Sequence, residues 1–482
     1  MRIRLSYLFF AIFLIICPLR GVLAAQPDSC SAFVNVTVIP MDRQQVLSEQ
    51  TVVVRGDRIA DLGPAKETKV PSECRIIDGQ HRYLIPGLVD SHVHLPLAGR
   101  SDQLLVLQML LANGITTGIN MEGSPEILAL RNDIRDGKLF APTLYTTGVF
   151  IQQPAFMTAD QVRHEVIAEK RAGYDFIKVH GELTKDAYDT LFETARAEHI
   201  RVVGHVPSNL GIDAALGRQS LIVHAEEYLY SYFQFHRDLP KDPAEIDRMV
   251  REISEKTAKS GTWVSPTLYV FRQIIWQAAD VNSLLQRPEM QYMPRHLTTG
   301  AAVGASNFAW YPPDNPYVKR WAPEKIPYLR DQFSIMQKLV AGLRDAGVPL
   351  LAGTDPFVPC VIPGFSLKNE LRELHEAGLT PYEVLQSATS NAARFLGNSQ
   401  DFGTVTKGKV ADLVLLNANP LDNIDNISLQ EGVMLRGHWF PEDELQKNLR
   451  TALKASKAQA TATSTTGGLQ KPASIKAPNA KP

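Results

Sequence analysis

The strongest constraint on the fold is an alternation of short β-branched runs with amphipathic segments between residues 85 and 398. Runs such as FIKVHG and RVVGHV are separated by segments whose apolar residues recur every three or four positions. The runs predict strands, and the segments between them predict helices. Repeated units of this kind build parallel sheets, because each helix returns the chain to the edge at which the next strand begins.

Eight such runs are present, the number of strands in a closed (β/α)8 barrel. In chain order they begin near Leu88, Thr116, Thr143, Phe176, Arg201, Leu221, Trp263 and Pro349. Helical spacing is clearest over residues 159–172, 186–198, 244–259, 327–346 and 367–377. The pattern predicts an α/β fold with a TIM-like barrel over residues 85–398, whose active-site groups lie at the carboxyl ends of the strands.

The segments on either side of the barrel lack this alternation. Residues 26–84 and 399–445 consist of short strand-like runs and turns, for example FVNVTVI and GVMLRGHWF. They predict one small β-sandwich domain formed from both ends of the chain. Late in the barrel, residues 300–327 form a long insertion rich in Pro, Asn and aromatic residues. Insertions of this kind are usually lids or substrate-binding loops.

The two termini differ from a folded domain in composition. Arg2 and Arg4 precede an apolar run of 13 residues, and two alanines follow it. This is typical of a secretory signal peptide over residues 1–25, and it predicts a secreted or periplasmic protein. A membrane span needs about 20 apolar residues, so contact with a membrane is expected only if the signal stays uncleaved. Residues 456–482 contain no aromatic residue and predict a disordered tail.

The cysteines leave two readings open. Cys17 departs with the signal peptide, and Cys360 is far from the others in sequence. In an oxidising compartment Cys30 and Cys74 are candidates for a disulfide near the mature N-terminus. The alternative is that all three remaining cysteines are free thiols.

The charge balance excludes one class of partner. The chain has 50 basic and 51 acidic residues, which give a formal net charge of −1. Because no extended basic stripe is present either, the sequence lacks the electrostatic footprint of a nucleic-acid-binding protein.

Histidines and an aspartate stand at the ends of the predicted barrel strands. His92 and His94 alternate along one strand, so both imidazoles lie on the same face. His205 and His224 end two later runs, and Asp355 ends the eighth. Each of these alone is equally typical of a core or surface residue. Because the carboxyl ends of barrel strands meet at one mouth, the five side chains are expected to converge as metal ligands.

Lys178 stands in the middle of the β-branched run FIKVH. An unpaired ammonium group in such a buried position is heavily penalised, so its pKa is expected to fall. The alternatives are a lysine that reaches the rim of the barrel or one that pairs with Glu182. In a metal site, a neutral amine can instead add carbon dioxide and become a carbamate, an anion able to bridge two cations.

Together these residues resemble the ligand set of the amidohydrolase superfamily. In the family's order on strands one, four, five, six and eight, the matching residues are His92, His94, Lys178, His205, His224 and Asp355. The motif GHVP and residues 363–397 and 403–416 are similar to the imidazolonepropionase-like and Xaa-Pro dipeptidase-like branch. The resemblance extends from the β-rich N-terminal segment to about residue 440.

The resemblance implies two divalent metal ions, most often zinc, with a carbamate on Lys178 and a hydroxide bridging them. The implied ligands are His92, His94 and Asp355 for one ion and His205 and His224 for the other. Asp355 then serves as both ligand and general acid–base. The activity implied is hydrolysis of a carbon–nitrogen bond in a small molecule or dipeptide by the metal-bridged hydroxide.

The substrate remains open between several classes. The leading ones are a dipeptide of the Xaa-Pro type and an N-acyl amino acid. The alternatives are a cyclic amide, as for imidazolonepropionase, or a non-catalytic barrel that only binds a ligand. His180, Tyr228 and Tyr269 follow or end predicted strands and are weak candidates for substrate binding. The sequence leaves a homo-oligomer open.

Overall fold

The computed structural model describes residues 30–152, 157–233, 242–299 and 309–466. The predicted signal peptide lies outside these ranges, as do residues 467–482. Within them, no helix combines the length and the hydropathy that crossing a membrane requires.

The strands, in chain order, are β1 Cys30–Val38, β2 Leu47–Arg55, β3 Arg58–Pro64, β4 Arg75–Asp78, β5 Tyr83–Pro86, β6 Leu88–Val93, β7 Ile115–Asn120, β8 Thr143–Ile151, β9 Phe176–Val179, β10 Arg201–Gly204, β11 Leu221–Val223, β12 Trp263–Ser265, β13 Leu413–Leu416, β14 Gln430–Leu435 and β15 His438–Pro441. The helices are α1 Arg100–Ala112, α2 Pro125–Arg135, α3 Ala159–Ala172, α4 Lys185–Ala197, α5 Ile212–Ala215, α6 Glu226–Ser231, α7 Pro243–Ser260, α8 Leu268–Leu285, α9 Pro316–Arg320, α10 Ile326–Asp345, α11 Leu367–Glu376, α12 Pro381–Ser387, α13 Ser390–Leu396 and α14 Glu442–Thr466.

Strands β6 to β12 form one parallel sheet in sequence order. The sheet is nearly closed, and residues 349–355 lie in the gap between its two edges. On one side, Leu351 N donates to Val264 O of β12 (2.9 Å), and on the other Ser91 N of β6 donates to Ala352 O (2.9 Å). The predicted TIM-like barrel is therefore confirmed.

The eighth run differs from the prediction in regularity. Leu350 alone forms a β-bridge, to Val264. The reason lies in the turn between α12 and α13, which enters the gap: Ala352 N donates to Ser387 O and Val89 N to Ala388 O. These donors are therefore not used between neighbouring strands, and the ladder is interrupted there.

Helices between the strands follow the predicted periodicity. On α4, Tyr188, Leu191 and Ala195 lie three and four positions apart and share an apolar cluster with Ile177 of β9. Helix α3 begins at a capping box in which Thr158 Oγ1 accepts from Gln161 N while the Gln161 side chain accepts from Thr158 N. Both features are local signals, so the bounds of these helices are readable from sequence.

The two ends of the chain meet in a second, mixed sheet with the strand order β15-β14-β13-β5-β1-β2-β3, and β4 pairs with β1. Phe33 of β1 and Trp439 of β15 make an edge-to-face contact at 5.3 Å, although three strands separate β1 from β15. Flat strands about 4.8 Å apart could not bring these rings together. The sheet therefore curls around one apolar core, which gives the predicted small domain its sandwich-like form.

Cys30 and Cys74 form a disulfide with a Cα–Cα distance of 4.4 Å. It joins the start of β1 to the segment before β4, which are already neighbours through β-pairing between Ser31 and Arg75. Cys360 is a buried free thiol.

Helix α14 corrects the expectation for the C-terminal tail. The helix continues through Ser456 to Thr466, so the first part of residues 456–482 is helical. Ser456 is fully buried and its Oγ donates to Asp102 Oδ1 of α1 at 2.5 Å. The composition of the segment after Ser456 did not indicate a helix, because it lacks large apolar side chains. The buried Ser456 hydroxyl and packing of α14 against α1 hold the start of this segment instead.

Candidate metal centre

The six predicted ligands converge at the carboxyl ends of the barrel strands. His92 lies in β6 and His94 follows it, with their Nε2 atoms 3.3 Å apart. The rings of His92 and His224 lie 4.9 Å apart, and those of His205 and His224 lie 4.6 Å apart. We call the six residues the ligand wall: His92, His94, Lys178, His205, His224 and Asp355.

Asp355 lies at the middle of this group. Its Oδ1 is 3.0 Å from His94 Nε2 and 3.3 Å from His92 Nε2, and its Oδ2 is 3.9 Å from His224 Nε2. Donor atoms of His92, His224 and Asp355 lie within 4.8 Å of one another. Asp355 and His224 have φ values of 50° and 71°, in the left-handed region that residues other than glycine rarely adopt. Such backbone strain is typical of side chains aimed for function.

The second nitrogen of three histidines faces another side chain. His205 Nδ1 lies 2.6 Å from Glu227 Oε1, and His224 Nδ1 lies 2.6 Å from Thr267 Oγ1. His94 Nδ1 is 3.7 Å from a carboxylate oxygen of Glu122. Partners of this kind orient metal-binding imidazoles and leave the other nitrogen for the ion.

Asp90 links β6, which carries His92, to the eighth run, which carries Asp355. It is fully buried, and its carboxylate accepts from His92 N (3.1 Å), Thr354 N (3.0 Å) and Thr354 Oγ1 (2.6 Å). Desolvation nevertheless raises its pKa to about 7. Its three hydrogen bonds hold His92 of β6 and the residue before Asp355 in fixed positions.

Lys178 is 1% exposed, and its Nζ makes no hydrogen bond to the described residues. Burial lowers its pKa to about 8, although nearby carboxylates oppose the shift. Its stem lies close to Gly204 of β10, where an added Cβ would come 3.1 Å from Lys178 Cδ and 2.2 Å from Val179 O. Glycine is therefore required beside the lysine.

Three histidines of the ligand wall, His92, His205 and His224, have a lowered pKa and are neutral at neutral pH. Burial lowers the pKa of His224 to about 3, and burial together with the Lys178 charge lowers that of His92 well below its usual range. Neutral imidazole is the form that binds metal ions. Neutral imidazoles, a carboxylate and a buried amine without a partner form a donor set that fits divalent cations of the zinc type.

The ligand wall forms one side of a cavity of about 240 Å³. Another part of the lining is apolar and comes from α8, from the 3₁₀ turn Arg295–Leu297 and from the segment after Asp355. We call it the apolar wall, and its residues are Val270, Ile274, Leu297, Phe357 and Val358. Tyr317 of α9 also lines the cavity, so part of the predicted 300–327 insertion does reach the site; residues 300–308 lie outside the described ranges.

Of the three weak substrate candidates, His180 alone lines the cavity among the described residues. It stacks on Phe150 with ring centroids 4.6 Å apart, and its Nδ1 is 3.1 Å from Gln152 Oε1. Burial lowers its pKa to about 4.

Tyr228 and Tyr269 do not reach the cavity. Tyr228 is buried with its Oη 3.3 Å from Thr257 Oγ1 of α7. Tyr269 is buried on α8, and its Oη accepts from Arg287 Nη1 at 2.8 Å. Both lie in helices that begin just after a strand, and their hydroxyl groups contact Thr257 and Arg287, so the structure gives their predicted role in substrate binding no support.

Sequence reasoning missed the polar residues that support the ligands. Asp90 and Glu227 lie two and three residues from a ligand histidine, in LVDSHVH and HAEEY. A carboxylate so close to a metal-binding histidine was the available signal. Thr267 and Glu122 gave no comparable signal, because strand pairing rather than sequence proximity brings them near the site.

The sequence of this chain matches a known family: the profile of the amidohydrolase family matches residues 83–440. The imidazolonepropionase of Shouchella clausii (strain KSM-K16) is 23% identical over an alignment of 405 residues that covers 77% of this chain and 80% of the relative.

Solved structures show the same fold. A bottromycin amidohydrolase superposes with a TM-score of 0.68 at 23% identity, covering 89% of this chain and 91% of that protein. A Xaa-Pro dipeptidase with bound methionine in its active site superposes with a TM-score of 0.63 at 19% identity, covering 86% of this chain and 100% of that protein.

Proposed function

The chain belongs to the amidohydrolase family and is a hydrolase acting on carbon–nitrogen bonds, and we propose that it cleaves the peptide-like bond of a dipeptide or N-acyl amino acid. The observation that carries the proposal is the convergence of four imidazoles and Asp355 with the buried Lys178 amine, whose Nζ makes no hydrogen bond to the described residues. The ligand wall would hold two divalent cations, and zinc suits these donors. When bound, the cations supply the Lewis acidity that activates water and polarises the scissile carbonyl.

Asp355 is the residue we assign to proton transfer. Burial opposes its ionisation, but the hydrogen bond from His94 and the surrounding imidazoles keep its pKa below the usual value. It is therefore an ionised acceptor at neutral pH. In this role it takes a proton from the attacking water and delivers it to the leaving nitrogen.

Lys178 is proposed to carry a carbamate. Its amine is buried, has a lowered pKa and lies among the ligand histidines, so it meets the conditions for reaction with carbon dioxide. The anion would offset the charge of two cations and reach both. An intact-mass measurement under native conditions tests this, since the carbamate adds the mass of carbon dioxide and is lost on acidification.

Other residues hold and screen the reacting groups. Glu227 and Thr267 keep the imidazoles of His205 and His224 oriented. The apolar wall lowers the polarity of the same cavity, which strengthens electrostatic interactions at the ligand wall.

A second candidate is hydrolysis of a cyclic amide. It is favoured by the similarity to imidazolonepropionases, which are the relatives with the longest alignments. The predicted signal peptide favours the peptide-like substrate instead.

We also propose that the protein is secreted or periplasmic. The predicted signal peptide supports this compartment, and so does the Cys30–Cys74 disulfide, since disulfides persist in oxidising compartments.

The test is turnover of dipeptides, N-acyl amino acids and lactams by the zinc-loaded protein. We expect peptide-like substrates to be cleaved, and cleavage of lactams alone would instead support the second candidate.

Asp355→Asn should keep the fold and lower turnover by roughly 100-fold to 10,000-fold. Asp345→Asn, an exposed site on α10, is the control and should not change turnover. Absence of stoichiometric metal together with absence of turnover would identify a non-catalytic binding barrel.

A further inference from the structure

Glu226 and Glu227 are adjacent in sequence and serve different sites. Glu227 accepts from His205 and from Val206 N, and so belongs to the support of the ligand wall. Glu226, the first residue of α6, lines the cavity itself. Its Oε2 accepts from Tyr230 Oη at 3.5 Å, which holds the carboxylate from the side.

The charge of Glu226 is not needed by the ligand wall. The cavity contains three carboxylates, and two of them contact ligand histidines: Glu122 lies beside His94, and Asp355 beside His92 and His94. Among the described residues, no cation lies within ion-pair distance of Glu226. Arg320 of α9 is exposed and acts on Glu226 only at longer range.

The rest of the cavity suggests what this carboxylate meets. The apolar wall offers Val270 and Ile274 to an aliphatic or aromatic side chain, and cations held by the ligand wall would polarise the scissile carbonyl. An amino-acid residue carries a side chain, an ammonium group and a carbonyl on or next to one carbon. A cavity with an apolar surface, a carboxylate and a metal centre presents one complementary group to each.

We propose that Glu226 binds the free α-ammonium group of the residue on the N-terminal side of the scissile bond. This rests on the function proposed above and selects within it: substrates are dipeptides or amino-acid amides with an unblocked amine, not N-acylated amino acids. An ammonium–carboxylate hydrogen bond in a desolvated site is strong, and acylation removes both the charge and two donors.

The experiment compares two ligands that differ only at the amine. The probes are a non-hydrolysable ketomethylene isostere of leucyl-alanine with a free amine and its N-acetyl derivative. Their dissociation constants are measured by calorimetry on the zinc-loaded protein. We expect the free amine to bind at least about tenfold more tightly. In Glu226→Gln the two constants should become equal within about threefold.

Two further variants separate this role from a structural one. Glu226→Asp keeps the charge at a shorter reach and should retain part of the preference. Glu182→Gln, at an exposed site after β9, is the matched control and should retain all of it. Far-UV circular dichroism and zinc content establish that each variant is folded and loaded.

The outcomes are distinct. Equal binding of the two probes by the unmodified protein, or a preference that survives in Glu226→Gln, overturns the inference. Because binding is measured without turnover, failure of the proposed peptide hydrolysis is seen separately, in the kcat/KM for leucyl-alanine itself. An amine preference that depends on Glu226 without peptide turnover supports the subsite and contradicts the proposed reaction.

Discussion

The ligand wall and the apolar wall line one cavity but are held in place by different means. Five residues of the ligand wall lie in or directly after a barrel strand, Asp355 ends the irregular eighth run, and three of the four histidines have a second polar partner. The apolar wall comes from α8 and from two connecting segments. Backbone pairing fixes the first, whereas side-chain packing forms the second. Changes in the ligand wall are therefore expected to abolish activity, and changes in the apolar wall to alter selectivity.

The largest effect is expected from Lys178→Ala. Loss of the amine removes the proposed bridging group, so the variant should lose both zinc and turnover. Millimolar short carboxylic acids should partly restore both by supplying the missing anion. Elemental analysis and turnover are the measurements, with Lys185→Ala, 81% exposed at its side chain, as control. Full zinc content and full turnover in Lys178→Ala would contradict the carbamate.

A smaller effect is expected from Glu227→Gln. The change replaces the carboxyl group that lies 2.6 Å from His205 Nδ1 with an amide and should weaken zinc affinity by about 10-fold to 100-fold. Competition with a chelator measures the affinity. Glu193→Gln on the exposed face of α4 is the control. An unchanged affinity would show that strand geometry alone orients the ligand wall.

Ile274→Ala tests the apolar wall. The kcat/KM for leucyl dipeptides should fall about tenfold, while that for glycyl dipeptides should change little, because only the larger side chain loses a contact. Trp276→Ala is the matched control, since Trp276 is on the same helix and 41% exposed. An equal loss for both substrates would place the apolar wall in the chemistry rather than in selectivity.

The smallest effect concerns how α8 is anchored. Glu370 of α11 is buried, and its Oε2 accepts from Tyr269 N of α8 at 2.7 Å. Burial raises its pKa from 4.5 to about 8. The folded chain therefore keeps a proton that the unfolded chain releases, and stability from this group is lost as pH rises from about 4.5 to about 8. The slope is at most about 1.4 kcal/mol per pH unit.

Glu370→Gln keeps an acceptor for α8 but does not titrate. Denaturant unfolding at several pH values between 5 and 8 should give a flatter profile for this variant than for the unmodified protein. Glu376→Gln, at an exposed position on the same helix, should leave the slope as it is. If Glu370→Gln has the same slope as the unmodified protein, Glu370 is already ionised in the folded protein over this range and its pKa is not raised.

The contrast between backbone pairing and side-chain packing also explains which features of the molecule the sequence could predict. The ligand positions could be predicted because each ligand lies in or just after a run of residues typical of a strand. The run itself shows where the strand ends. The run WVSPTLYV, in contrast, reads as one strand, but β12 ends at Ser265 and α8 begins at Leu268. Pro266 has no N–H with which to continue a strand. The carboxylate of Glu370, about 100 residues later, receives the first N–H groups of the helix.

Supporting contacts between distant segments were equally hidden. Ser456 is buried against Asp102 of α1, and no property of the polar segment around it indicates that partner. Truncation near residue 454 would therefore remove a helix end that contacts α1. Local periodicity predicted the helices and strands. Contacts between segments up to hundreds of residues apart supply the hydrogen-bond partners at the ends of these helices, and periodicity does not show them.

The mixed sheet has a consequence for the order in which the chain folds. Its central pair joins β5 to β13, with Pro86 opposite Leu413, more than 300 residues apart. Within each half, β1–β2–β3 and β13–β14–β15 are antiparallel pairs of consecutive strands that form quickly, but the seam must await nearly the whole chain and a large loop closure. Until then β5 keeps an open edge, a known site of mispairing between chains. During biosynthesis, the small domain is thus expected to be the slowest part to close, after the barrel has brought its two halves together.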